Sequence, residues 1–200
     1  MTIVIDKLSI SFEGKQVLKD FSFSLPASGV VCIFGPSGCG KTVLFKCLSG
    51  LIKPDSGEIS GLKSKRLSMV FQENRLLPWC NAVDNVALVV NENRELARAA
   101  LTKMELTSET NKLPAEMSGG MQRRVAIARA IVYDGDLLLL DEPTTGLDAE
   151  LADRIMKILI KSWQSRLVLL ITHELTIAKK YADIIYTVEG PPLQIKNVSE

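Results

Sequence analysis

The sequence lacks a charge excess of either sign. Its 200 residues include 24 lysines and arginines against 23 aspartates and glutamates, so the formal net charge is +1. Such a protein has no strong field to attract nucleic acid or an anionic membrane surface, and we expect no nucleic-acid partner. The composition, 46% hydrophobic and 24% charged, excludes a disordered or collagen-like chain and is typical of a compact globular protein.

Long hydrophobic runs are also missing. The longest lie at residues 30–34, 137–140 and 167–171, and all are far shorter than the about 20 residues of a membrane-spanning helix. The amino terminus has neither the basic segment nor the long apolar stretch of a signal peptide, and its pattern predicts a strand. We therefore expect no membrane-spanning segment and a cytoplasmic protein.

Cysteine is scarce and not arranged for metal binding. Cys32, Cys39, Cys47 and Cys80 form no CxxC pair, and no histidine stands at a spacing that suggests zinc. This usage fits a reducing compartment, with cysteines as small buried residues. No internal repeat, low-complexity tract or linker divides the chain, so a single cassette is expected.

The sequence does contain a regular alternation of strand and helix patterns. Apolar and polar residues alternate around a turn at residues 13–15, which predicts antiparallel strands. Helix-forming residues from 83 to about 106 predict a helical insertion, and later strands and helices alternate as in a mostly parallel α/β sheet. The other predicted elements are strands at 30–34, 58–60, 67–71, 137–140, 167–171 and 184–188, and helices from 42 to Gly50, through 125–130, at 149–163 and at 175–181.

The strongest local signal is Gly35-Pro36-Ser37-Gly38-Cys39-Gly40-Lys41-Thr42, which fits GxxxxGK[ST] between a predicted strand and a predicted helix. Glycines let backbone N–H groups face a phosphate chain, and the following helix adds the positive end of its dipole. Lys41 supplies positive charge to the β and γ phosphates. Thr42 offers a hydroxyl to Mg²⁺, which prefers oxygen ligands. The pattern predicts a site for a nucleoside triphosphate.

Two adjacent acids, Asp141 and Glu142, follow a buried apolar run at the end where ligands bind in open α/β sheets. Asp141 would hold Mg²⁺, and Glu142 would orient and deprotonate the attacking water. An acidic pair after a strand is also a common charge pair at a helix start. The phosphate-binding pattern about 100 residues upstream favours the catalytic interpretation.

A second candidate anion site is Ser118-Gly119-Gly120-Met121, which precedes a predicted helix. A serine cap followed by flexible glycines would have the same pattern. Its position, 77 residues after Lys41 and 23 before Asp141, favours the anion site. One nucleotide does not readily explain two phosphate-binding helix starts in a small domain, whereas two chains that share two nucleotides do.

These motifs together resemble those of ABC-type ATPases, the nucleotide-binding subunits of ABC transporters, and the resemblance covers essentially the whole chain. Residues 35–42 are similar to Walker A, Gln72 to the Q-loop, residues 118–121 to the signature, residues 137–142 to Walker B, residues 145–148 to the D-loop, and His173 to the switch histidine. The resemblance implies an α/β fold with a P-loop NTPase core, a mostly parallel sheet, an N-terminal antiparallel β subdomain and an inserted helical subdomain. It implies one cassette over residues 1–200, with the β part at about 1–29 and 54–70, the helical subdomain at about 76–117 and the core in the remainder.

The resemblance also implies residue roles. His173, the only histidine, would contact the γ-phosphate and steady the catalytic water, although a lone histidine at a strand end is commonly structural. Gln72 would sense the γ-phosphate and Mg²⁺, and Phe12 would stack on adenine, a core or hairpin role being the alternative because neighbouring Phe21 and Phe23 have a core pattern. The implied catalytic residues are Lys41, Gln72, Glu142 and His173, the metal ligands are Thr42, Gln72 and Asp141, and the nucleotide contacts are Phe12, Gly35, Pro36, Ser37, Gly38, Cys39, Gly40, Lys41, Thr42, Ser118, Gly119, Gly120, Met121 and Asp148.

The signature departs from its commonest form at Met117, Met121 and Arg123, but Ser118 and the backbone N–H groups remain, so activity is expected to survive. Residues 71–79 with Gly120 and Met121 resemble the nitrate, sulfonate and taurine importer branch. The implied protein hydrolyses ATP with Mg²⁺, dimerises with an identical or paralogous ATPase chain, and docks near Gln72 and residues 76–90 on permease subunits at the inner membrane face. A substrate-binding protein would be an indirect partner, and the solute a sulfonate or nitrate-like anion. An exporter subunit and a non-transport ABC ATPase acting on nucleic acid or ribosomes are the alternatives.

Overall fold

The computed structural model describes residues 2–199, and the chain divides into two compact units. The first unit contains the chain up to Leu67, the short stretch Asp136–Asp141 and the chain from Gln164 onward. The second unit contains Ser68–Gly135 and Glu142–Trp163. Both units are therefore built from segments that are distant in the sequence.

The secondary structure begins with three strands and continues with a mixture of helices and strands. Along the chain the elements are β1 (Ile3–Phe12), β2 (Lys15–Leu25), β3 (Gly29–Phe34), α1 (Lys41–Leu48), β4 (Ser56–Ser60), β5 (Leu67–Val70), α2 (Ala82–Ala87), α3 (Arg94–Lys103), α4 (Gly119–Tyr133), β6 (Leu137–Asp141), α5 (Ala149–Ser162), β7 (Leu167–Thr172), α6 (Leu175–Tyr181), β8 (Ile184–Glu189) and β9 (Gln194–Ser199). Three short 3₁₀ turns lie at Leu88–Val90, Thr107–Glu109 and Pro114–Glu116.

In the first unit, β2, β1 and β4 form an antiparallel sheet in that order, as the alternating pattern predicted. Leu8 and Ile10 of β1 are buried. The β1–β2 turn places Glu13 and Gly14 at φ values of 50° and 79°. Two left-handed residues in a two-residue loop match the right-handed twist of the strands, which explains why the chain turns here.

The second sheet of this unit contains β6, β7, β3, β8 and β9 in that order, and all neighbours are parallel except β8 and β9. Every residue of β6 and β7 is buried. Continuous apolar runs of this kind belong to parallel strands that are covered on both faces. Strand β9 was not predicted from the sequence, because this edge strand is short, mostly exposed and polar.

The second unit contains α2, α3, α4 and α5. The predicted helical stretch is two helices, because the 3₁₀ turn at Leu88–Val90 leads into left-handed Asn91 and Glu92. Asn93 then starts α3, since its side chain accepts a hydrogen bond from the Leu96 N–H at 3.1 Å. Within residues 2–199, no helix combines the length and the apolar character that crossing a membrane requires. The α/β class and the inserted helical part are confirmed.

Truncating the centre of the parallel sheet should cost far more stability than truncating an exposed helix position. Leu169 is fully buried in β7 between β6 and β3. We expect Leu169→Ala to lower the free energy of unfolding by about 2–5 kcal/mol. Leu96→Ala, at a half-exposed position of α3, should change it by less than about 0.5 kcal/mol. Urea unfolding followed by circular dichroism measures both, and equal losses would contradict the assigned core.

Candidate functional site

The glycine-rich loop of residues 35–40 connects the end of β3 to the start of α1. Gly35 has no room for a side chain, because a Cβ there would lie 2.4 Å from the backbone oxygen of Val188. Gly38 and Gly40 have φ values of 78° and 115°, which residues with side chains rarely adopt. The loop therefore needs glycine for two different reasons, a close backbone approach and a left-handed backbone.

Lys41 is the first residue of α1 and is only 5% exposed. Its Nζ donates hydrogen bonds of 2.7 Å to the backbone oxygens of Gly35 and Pro36. These bonds hold the ammonium group over the loop that precedes the helix. A buried positive charge at the amino end of a helix forms an anion-binding arrangement.

The strand registers bring the other candidates of the first unit to the same edge. Phe34, the last residue of β3, pairs with Thr172, and Asp141, the last residue of β6, pairs with Ile171. The Gly35 N–H also donates to the Thr172 backbone oxygen at 3.4 Å. Since parallel strands end at one edge of a sheet, the glycine-rich loop, Asp141 and His173 all lie at carboxyl ends of adjacent strands.

The oxygen donors of this unit fit Mg²⁺. Asp141 offers a carboxylate that is 1% exposed, and Thr42 offers a hydroxyl from the first turn of α1. Mg²⁺ takes one or two such protein oxygens and completes its shell with water and phosphate oxygens. Asp141 and Thr42 are therefore suitable ligands for a metal that accompanies a phosphate chain.

His173 is exposed, immediately after buried Thr172 at the end of β7. The Thr172 Oγ1 accepts a hydrogen bond of 3.0 Å from the Glu174 N–H, which shapes the turn between β7 and α6. The turn places His173 beyond the strand rather than in the core.

In the second unit, Ser118 caps α4 by accepting a hydrogen bond of 3.2 Å from the Met121 N–H. The cap that the sequence offered as an alternative is thus present, and a cap leaves other N–H groups of the first turn for an anion. Gly120 is needed for packing, since a Cβ there would lie 3.0 Å from the backbone oxygen of Gly146. The signature and D-loop stretches of this chain are therefore in contact.

Gln72 lies in this unit with an exposed side chain. Its backbone oxygen accepts a hydrogen bond of 2.7 Å from Arg123 Nη2, and Arg123 Nη1 donates to the oxygen of Phe71. Arg123, which the sequence marked only as a departure from the signature, is 2% exposed. Sequence reasoning missed this contact because the partners are about fifty residues apart and share no motif.

Glu142 and Asp148 lie on either side of a tight turn of the second unit. Glu142 is 7% exposed and has a φ of 50°, and its backbone oxygen accepts a hydrogen bond from the Thr145 N–H at 3.3 Å. Asp148 caps α5, because its Oδ1 accepts a bond of 2.9 Å from the Leu151 N–H. That bond holds the pKa of the Asp148 carboxyl below its usual value. The capping role was not anticipated from the sequence.

Phe12 ends β1 with 43% of its surface exposed. The core part of the alternative is therefore wrong, but Phe12 pairs with Lys15 beside the β1–β2 turn, which agrees with the hairpin part. Stacking on adenine stays a prediction. Phe23 is only half-buried and packs between Phe21 and Tyr186, at ring-centroid distances of 5.3 and 5.5 Å. Its apolar pattern therefore reflects packing between aromatic rings rather than full burial in the core.

The close approach at Gly35 gives a direct test of the loop. We expect Gly35→Ala to weaken binding of a fluorescent ATP analogue at least about tenfold, because the new Cβ must displace the Val188 backbone or the loop. Gly50→Ala is the control: Gly50 has a φ of 71° but open space around it, so backbone strain of about 1 kcal/mol should be the only effect. Equal nucleotide affinity in the two variants would contradict the assigned role.

Comparison with known proteins agrees with this geometry. The ABC transporter family matches residues 18–145. Aliphatic sulfonates import ATP-binding proteins are 37% identical in Pseudomonas fluorescens, over 94% of this chain and 73% of the relative, and 39% identical in Pseudomonas syringae pv. syringae with the same coverage. One from Shouchella clausii is 36% identical, over 95% of this chain and 78% of the relative.

Solved structures of an ATP-binding cassette are also similar to this chain. The ATP-binding cassette MJ0796, in a dimeric post-hydrolysis state bound to ADP and phosphate, has a TM-score of 0.90 at 25% identity and covers 99% of this chain and 98% of its own. A second dimeric structure of that cassette has a TM-score of 0.88 with the same identity and coverage. From its motifs, its fold and these relatives, the chain belongs to the ABC transporter family and is an ATP-binding cassette ATPase.

Proposed function

We propose that this chain drives the import of a small anion of the sulfonate type, by hydrolysing ATP as one half of a dimer that docks on permease subunits. The observation that carries the ATPase part is the edge where the glycine-rich loop, Asp141 and His173 follow adjacent strands. The names of the relatives, which are 36–39% identical over most of the chain, support a sulfonate as the solute.

In this function, the glycine-rich loop and the amino end of α1 bind the phosphates of ATP. Lys41 is held beside the loop by its two carbonyl bonds, and its charge would bind the β and γ phosphates. Thr42 and Asp141 would hold Mg²⁺, which when bound offsets phosphate charge and fixes the geometry for in-line attack.

Glu142 orients the attacking water and accepts its proton, His173 contacts the γ-phosphate, and Gln72 senses the γ-phosphate and the metal. The burial of Glu142 supports the first of these roles. Burial of the carboxylate fits a group whose proton transfer must be protected from bulk water.

Residues 118–121 of a second copy complete each site by binding the γ-phosphate from the opposite side. The capped but exposed start of α4 suits this contact. ATP then closes the dimer, and hydrolysis removes the group that held it closed. The dimeric state of the MJ0796 cassette supports this arrangement.

The permease would dock on the loop that carries Trp79, whose side chain is 74% exposed. The loop is well supported: buried Asn85 accepts a hydrogen bond from the Leu77 N–H at 2.8 Å and donates to the backbone oxygens of Leu77, Cys80 and Asn81. A large apolar side chain on a rigid loop is typical of a protein–protein contact.

The first test is the shared site. We expect Glu142→Gln to shift from monomer to dimer in size-exclusion chromatography when Mg-ATP is added, because it binds ATP without hydrolysing it. Steady-state hydrolysis should be present in the wild type and lost in this variant. Glu95→Gln, in the first turn of α3, is the control and should hydrolyse ATP at the wild-type rate. A variant that stays monomeric at saturating ATP, beside an active wild type, would rule out the shared site for the isolated chain.

The second test addresses docking and solute together. In the transporter assembled with its permease, a binding protein loaded with an alkanesulfonate should stimulate ATP hydrolysis, and one loaded with nitrate should not. We expect Trp79→Ala to abolish this stimulation and co-purification with the permease, with nucleotide affinity unchanged. Tyr133→Ala, at an aromatic residue that is 36% exposed, is the matched control. Equal stimulation by nitrate would contradict the proposed solute, and full stimulation in Trp79→Ala would contradict the docking loop.

A further inference from the structure

The segment of residues 71–75, called here the Gln72 segment, is held by two arginines of α4. Arg123 donates from Nη1 to the oxygen of Phe71 and from Nη2 to the oxygen of Gln72. Arg129 donates from Nη1 to the oxygen of Arg75 at 2.9 Å and from Nη2 to that of Asn74 at 3.1 Å. Four of the five backbone carbonyls of the segment are therefore bound to one helix.

The segment is also braced internally. The guanidinium carbon of Arg75 lies 3.9 Å from the centroid of the Phe71 ring, a cation–π distance that ties the two ends of the segment together. Because Arg123 is 2% exposed, its two bonds are shielded from water and from competing acceptors. The backbone at Gln72 is thereby fixed, while the Gln72 side chain remains exposed.

The same helix begins at the signature. Arg123 lies five residues after Ser118, which is about 7.5 Å along an α-helix. An α-helix does not bend appreciably over about one and a half turns, so the start of α4 and the backbone of Gln72 form one rigid piece within the second unit.

We propose that Arg123 is a positioning residue for Gln72, which makes the Gln72 segment move together with the signature stretch. The inference rests on the proposed function, in which Gln72 contacts the ATP of its own chain and residues 118–121 contact the ATP of the partner chain.

A planar guanidinium is required for this role. Its fork presents two N–H donors in a fixed geometry that matches two neighbouring carbonyls. A lysine at the same position keeps the charge, but its single flexible ammonium cannot hold both carbonyls in fixed positions. Arg123→Lys therefore removes the positioning and leaves the charge in place.

The test compares Arg123→Lys with Arg124→Lys in the full chain. Arg124 is a neighbour on α4 that also binds two carbonyls, those of Met104 and Glu105, at 2.9 and 3.0 Å, but it does not touch the Gln72 segment. We expect Arg123→Lys to lower kcat for Mg-ATP at least about tenfold with ADP affinity within about twofold of wild type. Both variants should lower the melting temperature by a similar amount, but Arg124→Lys should keep the wild-type kcat.

Two further readouts separate positioning from general stability. The carbonyl carbon signals of Phe71 and Gln72 in nuclear magnetic resonance spectra should shift in Arg123→Lys and stay unchanged in Arg124→Lys, a result that needs no turnover. The double variant Gln72→Ala with Arg123→Lys should have the same kcat as Gln72→Ala alone, since the arginine acts only through that side chain.

Several outcomes would overturn the inference. If Arg123→Lys and Arg124→Lys lose ATP and ADP affinity alike, or if the kcat losses in the double variant multiply, Arg123 has only a structural role. If Gln72→Ala is slow and Arg123→Lys is not, the positioning role is wrong while the proposed function stands. If Gln72→Ala hydrolyses ATP at the wild-type rate, the role proposed for Gln72 itself is wrong, and the positioning role of Arg123 that depends on it is wrong as well.

Discussion

The parallel pairing of β6, β7 and β3 is the constraint on which the site depends. With Asp141 beside Ile171 and Phe34 beside Thr172, three strands end at one level and deliver the glycine-rich loop, the acidic residue and His173 to one edge. A slip of one residue would move Asp141 by about 3.3 Å along its strand and turn its side chain to the opposite face. The fully apolar runs of β6 and β7, which must be covered on both sides, anchor this register.

Charged groups are buried where the apolar core stops. Lys41 and Arg123 are both 5% exposed or less, and each donates to two backbone carbonyls. Burying a charge is costly unless hydrogen bonds compensate for lost water, and carbonyls provide that compensation without neutralising the charge. Lys41 is thus held beside the glycine-rich loop, whereas Arg123 holds the backbone of residues 71 and 72.

The helix that follows the signature organises much of the second unit. Besides the two arginines that hold residues 71–75, Gln122 donates to the oxygens of Pro114 and Met117, and Arg124 donates to those of Met104 and Glu105. Backbone carbonyls in loops have no partner within a helix or a strand. In this unit, side chains of α4 donate hydrogen bonds to several of them. The exposed start of this helix is therefore connected to loops that are distant from it in the sequence.

The sequence by itself determined the glycine-rich loop, the buried strands, the hairpin and the order of helices, because these depend on local chemistry: backbone freedom, apolar periodicity and turn residues. The tertiary structure alone decided that Gly35 must be glycine because of Val188, that Arg123 and Arg129 hold the segment around Gln72, and that β9 joins the sheet edge. Such contacts join residues about fifty to 150 positions apart, or lie in strands too polar to show a pattern. Their partners are set by how the chain packs, which no local spacing records.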